Sequence, residues 1–296
     1  MATVREIKNR IGSVKNIKKI TETMEKISTA KVKKTTDRLM NSRDYYFSLV
    51  RMMAHVIPFV REEKEQLDHP LIRDHEDIKN SLILVISSNR GLCGGYNNNV
   101  LQVARRLYNS LQDEKKDVHL YTIGKKGLSY FKYLKIPVEK SIIDIDDNVT
   151  YERMNQLAEE LSELYSTEQV NEIYLVYTKF FSPSQQKPVV ERVLPFEFEV
   201  EEEEVEEEFR AVYSFEPKVD KVLEYVVPLA LKTKLFNTIL ETNLSEQIAR
   251  KIAMKQASDS AGDMIKNLTL LYNRARQSKI TKEIIEIIGA AKALTS

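Results

Sequence analysis

The chain has 296 residues, with 45 Lys/Arg against 44 Asp/Glu and a single Cys. One Cys excludes an internal disulfide and any multi-cysteine metal site, and a net charge of +1 argues against a bulk-charge partner such as nucleic acid or a lipid surface. No run approaches the roughly 18 apolar residues of a membrane span, and MATVREIKNRIGSVKNIKK lacks the apolar core of a secretory signal. A cytosolic, reducing setting is the expectation.

The near-neutral total hides an asymmetry. Residues 1–43 hold twelve Lys/Arg and four Asp/Glu, a net of +8, and residues 229–296 have a net of +5. The middle therefore carries −12, which points to a specific partner for one part of the chain.

The first segment places Val4, Ile7, Ile11, Val14, Ile17, Ile20, Met24 and Ile27 at spacings of three and four. That predicts one narrow apolar stripe on a helix running from about residue 3 to 56, before Pro58, with a phase slip at 14–17–20. At 1.5 Å per residue it is roughly 80 Å long.

SLILVIS at 81–87 reads as a strand and is followed by SSNRGLCGGYNNN at 87–99. A helical pattern over 97–113 (Val100, Leu101, Ala104, Leu107, Leu111), a strand at 118–123, a helix at 150–165 (Met154, Leu157, Leu161, Leu164) and a strand at 172–178 come next. Alternating strand and helix predicts a mostly parallel sheet with helices on its faces. KPVVERVLPF at 187–196 reads as a further strand with its prolines at the edges. The acidic stretch EVEEEEVEEEF at 199–209 reads as a solvated loop, because like charges repel.

The last segment repeats the design of the first. Leu240, Leu244, Ile248, Ile252, Ala257, Ala261, Ile265, Leu268, Tyr272 and Ala275 keep helical spacing. The helix is expected to start or kink near Pro228 and to stop at Gly289, roughly 90 Å in all. Two narrow-striped helices, neither stable alone, can bury their stripes against each other and run antiparallel if the middle is a compact domain. The expected fold is therefore α/β: a long antiparallel coiled coil of the N- and C-terminal helices plus a central Rossmann-like α/β domain.

Catalytic sets are hard to find. Gly91, Gly94 and Gly95 give G-x-x-G-G, which is not the dinucleotide spacing, and no Gly-Lys-Ser/Thr follows for a P-loop. Cys93 has no base within readable reach, and His55, His69, His75 and His119 show no metal spacing. Residues 201–208 lack the turn glycine that would shape a Ca²⁺ loop. From the residues alone, an interaction or mechanical protein, a nucleic-acid binder with a basic helical arm, and a Rossmann-like enzyme of unrecognised chemistry stay open. The scarcity of aromatics on the helix ends disfavours the second.

Three stretches resemble the γ, or central stalk, subunit family of F-type ATP synthases. IKKITETMEKISTAKVKK at 17–34 is similar to that family's I-x-K-I-T-x-A-M-x-M-V-A-A-x-K. SSNRGLCGGYN is similar to S-D-[RK]-G-L-C-G-G-[LY]-N, and residues 245–294 form the longest and most specific match. QKPVVERVLP and YSFEP follow in the expected order. Thr23, Lys26 and Ser28 stand where the family has Ala, Met and Ala, which suggests an altered surface at the shaft's bearing, and Asn89 replaces its Asp.

The resemblance implies a noncatalytic rotor subunit. It divides as 1–60 N-terminal helix, 61–216 α/β foot domain and 217–296 C-terminal helix. The shaft would turn inside a head of α and catalytic β subunits. Its foot would lie against the ε subunit and the membrane c-ring, at the cytoplasmic face of a bacterial membrane. No cofactor, metal, bound nucleotide or nucleic acid is implied. Contacts with the acidic lever loops of β are expected at Lys18, Lys19, Met24, Lys26, Cys93, Gln247, Arg250, Arg276, Gln277, Thr281 and Glu283. An apolar bearing tip is expected at Ile284, Ile285, Ile287, Ile288 and Leu294. Intrahelical pairing of Lys279 with Glu283 competes with a contact role for Glu283.

Overall fold

A computed structural model of the chain describes residues 3–62, 69–75, 77–145, 149–196 and 219–295, with the backbone alone for 53–62, 219–220 and 289–295. The elements in chain order are α1 (Val4–Glu62), β1 (Asn80–Ile86), α2 (Tyr96–Asp113), β2 (Asp117–Ile123), α3 (Lys125–Tyr133), β3 (Lys140–Ile142), α4 (Tyr151–Ser166), β4 (Glu172–Ser182), β5 (Gln185–Leu194) and α5 (Val219–Thr295). They form two compact units: residues 1–30 with 250–296, and residues 31–249. The acidic run at 199–209 and the YSFEP stretch lie outside the described residues.

In the larger unit the five strands are ordered β3-β2-β1-β4-β5. β1 pairs in parallel with β2 (Ile83 opposite Leu120) and with β4 (Ile83 opposite Tyr174). β5 closes one edge antiparallel to β4, with Val176 opposite Val190. Pro188 sits inside this edge strand, opposite Thr178, where its missing N–H is tolerated. The pleat sends alternate side chains of β1 to opposite faces. Ile83 and Val85 meet Val100, Leu101 and Ala104 of α2 and Phe131 of α3. Leu82, Leu84 and Ile86 share a second core with Leu157 and Leu161 of α4, Leu39 and Leu49 of α1, and Leu235, Ile239 and Leu244 of α5. The sheet is thus a filling between helices on both faces. The α1 and α5 stretches run antiparallel here, since Tyr46 lies beside Lys234 and Ser42 beside Asn237.

In the smaller unit, Thr3 and Glu6 form a capping box at the start of α1: the Thr3 N–H donates to Glu6 Oε2 at 2.9 Å and the Glu6 N–H to Thr3 Oγ1 at 3.3 Å. Along α1, Ile7, Thr21 and Ser28 are buried and Ile11, Val14, Lys18 and Glu25 half-buried, a strict alternation of four and three. Along α5, Met254, Ser258 and Ala261 are buried and Ile265, Leu268, Tyr272 and Ala275 half-buried, with the same alternation. A repeat of 3.5 residues is the coiled-coil seam.

Several expectations change. Ile17, Ile20 and Ile27 are not in the seam; each is more than half exposed. Ile252 is likewise exposed. α1 runs past Pro58 to Glu62, and α5 starts nine residues before Pro228 and passes through both it and Gly289. The single missing N–H of a proline and the extra freedom of a glycine are too small to stop helices this long. α3 and β3 had no counterpart in the sequence reading; both are short, and β3 is a three-residue edge.

Two local features fix the sheet. Gly124 joins β2 to α3 at φ 95°, and a Cβ there would lie 2.2 Å from the Ser87 carbonyl oxygen. At the opposite end of the strands, Glu172 is buried and accepts from Ser81 Oγ at 2.5 Å, Lys116 Nζ at 3.0 Å and Tyr174 Oη at 2.9 Å. Burial pushes its carboxyl up, but these three donors outweigh that and hold it below the ordinary value of 4.5. The Lys116 ammonium, also penalised by burial, is held up by Glu114 and Glu172.

Gly124→Ala is expected to cost about 2 kcal/mol or more, read as a lower unfolding midpoint in urea, because both the backbone region and the space exclude a side chain. A group whose folded pKa is depressed stabilises above its unfolded value and loses that stabilisation as pH falls through the folded one. The destabilisation caused by Ser81→Ala should therefore be full at neutral pH and shrink below pH 4.5, checked by unfolding curves across that range.

Candidate functional site

The parallel order reverses at β1, which sends β2 to one side and β4 to the other. In open α/β sheets ligands bind beyond the carboxyl ends of the strands at this point. The glycine-rich loop 87–95 occupies it. Ser88 Oγ donates to Asn97 Oδ1 at 3.0 Å, and the Asn97 amide donates to Cys93 Sγ at 3.1 Å. Cys93 is only 2% exposed. Its thiol is a packed acceptor beneath the loop.

Asn89 spans two elements. Its amide N–H donates to the Ile145 carbonyl at 2.9 Å, and its Oδ1 accepts from the Lys125 backbone N–H at 3.1 Å, at the first turn of α3. The position needs both a donor and an acceptor: an Asp could accept from Lys125 but has no proton for Ile145. α5 reaches this end of the sheet. Tyr96, the first residue of α2, donates from its hydroxyl to the Thr242 carbonyl of α5 at 3.3 Å, which sets a helix against the place a cofactor would need.

The three histidines with described side chains hold structural positions. His69 Nδ1 accepts from the Leu71 N–H at 3.2 Å, and burial, partly offset by Glu224, lowers its pKa. His75 stacks on Tyr165, and His119 pairs with Glu139 at 2.7 Å. The side chain of His55 lies outside the described residues. Among the described residues no group of three or more His, Cys, Asp or Glu is placed to hold a metal ion.

The expected contact residues fall into two sets. Lys19, Lys26, Arg276, Gln277, Thr281 and Glu283 are exposed, and Lys18 and Met24 half-buried. Lys18 pairs with Glu22 at 3.8 Å and lies against Gly262, whose missing Cβ would stand 3.6 Å from the lysine Nζ. Thr281 Oγ1 donates back to the Gln277 carbonyl at 3.0 Å, and Glu283 pairs with Lys279 at 3.6 Å. Gln247 and Arg250, by contrast, are 3% and 7% exposed, covered within the chain. Of the three departures from the resembling motif, Thr23 and Lys26 are at the surface, but Ser28 is buried in the seam and alters packing instead.

Every described side chain from Arg276 to Ile288 is exposed, and Ile284, Ile285, Ile287 and Ile288 each leave half or more of their surface uncovered. Leu294 falls where side chains are not described. Charge also sorts by unit. The coiled-coil unit holds sixteen Lys/Arg and seven Asp/Glu, a net of +9, and the larger unit carries −8.

A family model described as ATP synthase matches residues 3–294. The chain belongs to the ATP synthase γ-chain family. It is 40% identical over 295 residues to an ATP synthase gamma chain of Leptospira biflexa, covering 100% of both chains. It is 39% identical to that of Rhodopirellula baltica over 99% of each. Among solved structures, a chain of the Euglena gracilis mitochondrial ATP synthase (OSCP/F1/c-ring) superposes with a TM-score of 0.64 at 21% identity, over 98% of this chain and 94% of that one. A chain of the Tetrahymena thermophila central stalk/c-ring structure gives 0.59 at 22% identity, over 81% and 99%. At that identity these share the fold. The relatives lend no support to a nucleic-acid-binding coiled coil.

Besides the Glu172 group, another polar cluster has no signal in the sequence. Glu191, Tyr177, Lys234 and Tyr46 come from four separate elements and share no motif spacing, so only folding brings them together.

Asn89→Asp is expected to cost about 1–2 kcal/mol through the lost donor to Ile145. The measurement is chemical unfolding, and equal stability of the two proteins would contradict this account of the loop.

Proposed function

We propose that this chain is the central rotor shaft of an ATP synthase, coupling rotation of a membrane c-ring to conformational cycling of catalytic β subunits. The observation that carries this reading is the coiled-coil unit: net +9, with a helix end whose described side chains from Arg276 to Ile288 are all exposed, isoleucines included. Such apolar surface is a place for a partner rather than for water. A hydrophobic collar of α and β subunits is the partner that suits it, with Ile284, Ile285, Ile287, Ile288 and Leu294 as the bearing.

The contact face for the acidic β-subunit levers is Lys18, Lys19, Met24 and Lys26 on α1 and Arg276, Gln277, Thr281 and Glu283 on α5. Positive charge here steers a negative partner and speeds assembly. Cys93, Gln247 and Arg250 are covered within this chain and are not put forward as part of that face.

The chain supplies no catalytic site of its own in this scheme. Supporting this, the switch point is backed by α5 and the loop lacks phosphate-binding glycine spacing. The larger unit is the foot, facing the ε subunit and the c-ring. Among the described residues no helix is long and apolar enough to cross a membrane. In this reading, attachment at the cytoplasmic face of a bacterial membrane runs through the complex.

Reconstitution with the α and β subunits of the same complex is the test. The expected result is a stable assembly with one copy of this chain and rotating ATPase activity. Lys19→Glu with Lys26→Glu should change hydrolysis rate or coupling, and unchanged values would remove the proposed contact face. Deleting residues 284–296 should weaken assembly or torque, and full assembly with full torque would rule out a bearing there.

A further inference from the structure

Within the larger unit, the stretch of α5 from Leu231 to Ile248 is buried or half-buried at every position. Its apolar side chains hold it in the core, but hydrophobic contact is non-directional. It keeps a helix in place far better than it keeps it from turning about its own axis. Interdigitated side chains oppose turning as well, and directional contacts fix the angle.

One such bracket joins four elements. Lys234 of α5 pairs with a carboxylate oxygen of Glu191 on β5. The other Glu191 oxygen accepts from Tyr177 Oη of β4 at 2.8 Å. The same Lys234 Nζ lies 5.5 Å from the ring centroid of Tyr46 on α1. Both ends of the ion pair are largely covered, with 17% of the Lys234 side chain and 29% of that of Glu191 exposed. Burial pushes the Glu191 carboxyl up, but Lys234, Tyr177 and Lys179 outweigh it and hold it ionised. Burial also pushes Tyr177 up and keeps it a proton donor. Two turns along α5, Glu241 faces Lys179, Arg43, Lys234 and Glu191, and burial raises its carboxyl. The second directional contact is Tyr96 to the Thr242 carbonyl, roughly 12 Å further along the helix.

We propose that Glu191, Tyr177 and Lys234 form a torque grip: positioning residues that fix the rotational angle of α5 against the sheet, so that turning of the foot is delivered to the shaft without slip. The inference rests on the rotor reading above. A bracket of this kind yields under load, not at rest. Breaking it therefore lowers the largest ion gradient that ATP-driven rotation can build, while leaving unloaded hydrolysis alone.

The experiment uses the whole complex in sealed vesicles, with Lys234→Met, Glu191→Gln and Lys234→Arg. Hydrolysis is measured with an ionophore present, and the steady gradient without it, using both proton and sodium indicators. The expected result is unloaded hydrolysis at the parent rate, a loss of maximal gradient in the Met and Gln variants, and its retention in Lys234→Arg. The Gln variant keeps one acceptor oxygen, enough for one of the two donors, and is the milder break should the Met variant assemble poorly. An unchanged maximal gradient in the Met and Gln variants overturns the grip, as does a loss of unloaded hydrolysis in proportion to the gradient. Failure of the parent complex to build any gradient would instead overturn the rotor reading itself.

Discussion

The structure depends on one constraint: the second face of the sheet has too little helix of its own to cover it. α2 and α3 close one face, but among the described residues α4 is the only crossover helix on the other. The remaining cover comes from α1 and α5, through Leu39, Leu49, Leu223, Val227, Leu231 and Leu235. A parallel sheet needs both faces buried. The α/β unit therefore cannot be cut free of the terminal helices, and the helices cannot turn without meeting the sheet. This is why compact units and secondary elements do not share boundaries: each long helix contributes to both.

Much of this was legible in the sequence, and the failures have a common cause. Strands β1, β2 and β4 and helices α2 and α4 announced themselves by pattern, because each has a dedicated apolar face. The coiled-coil seam did not. Hydrophobic periodicity picks the strongest apolar stripe, and on α1 that stripe ran through Ile17, Ile20 and Ile27. The packed positions instead keep a 4-3 count through Lys18, Thr21, Glu25 and Ser28, which carry little apolar signal. The undisturbed count from Ile7 was the available clue. Apolar residues lying off a sound heptad face outward and suit an outside surface.

The glycine loop teaches a related point. Its composition and its place after β1 are those of a phosphate loop, and its position at the strand reversal is where a ligand site belongs. What sequence could not show was the arrival of α5, some 150 residues later, at Thr242. Nor could it show that Asn89 needs both a donor and an acceptor, because Ile145 and Lys125 are brought to it only by the β2–α3–β3 path. The same fold that would have made a cofactor cleft here uses the position to seat a helix.

That helix is unusual for a buried one. Asn237, Thr242 and Ser245 are almost wholly covered, and Asn237 Oδ1, Thr242 Oγ1, Asn243 Nδ2 and Ser245 Oγ have no hydrogen-bond partner among the described residues. Buried polar atoms of this kind weaken the apolar hold on the stretch that carries them. The hydrophobic core alone is then a poorer anchor for α5 between Asn237 and Ser245 than its burial suggests. The directional contacts at the two ends of this stretch, Glu191 on Lys234 and Tyr96 on Thr242, gain weight accordingly. A helix that must both sit inside a domain and carry torque through it is better fixed when oriented bonds add to its packing, since they set one angle about its axis.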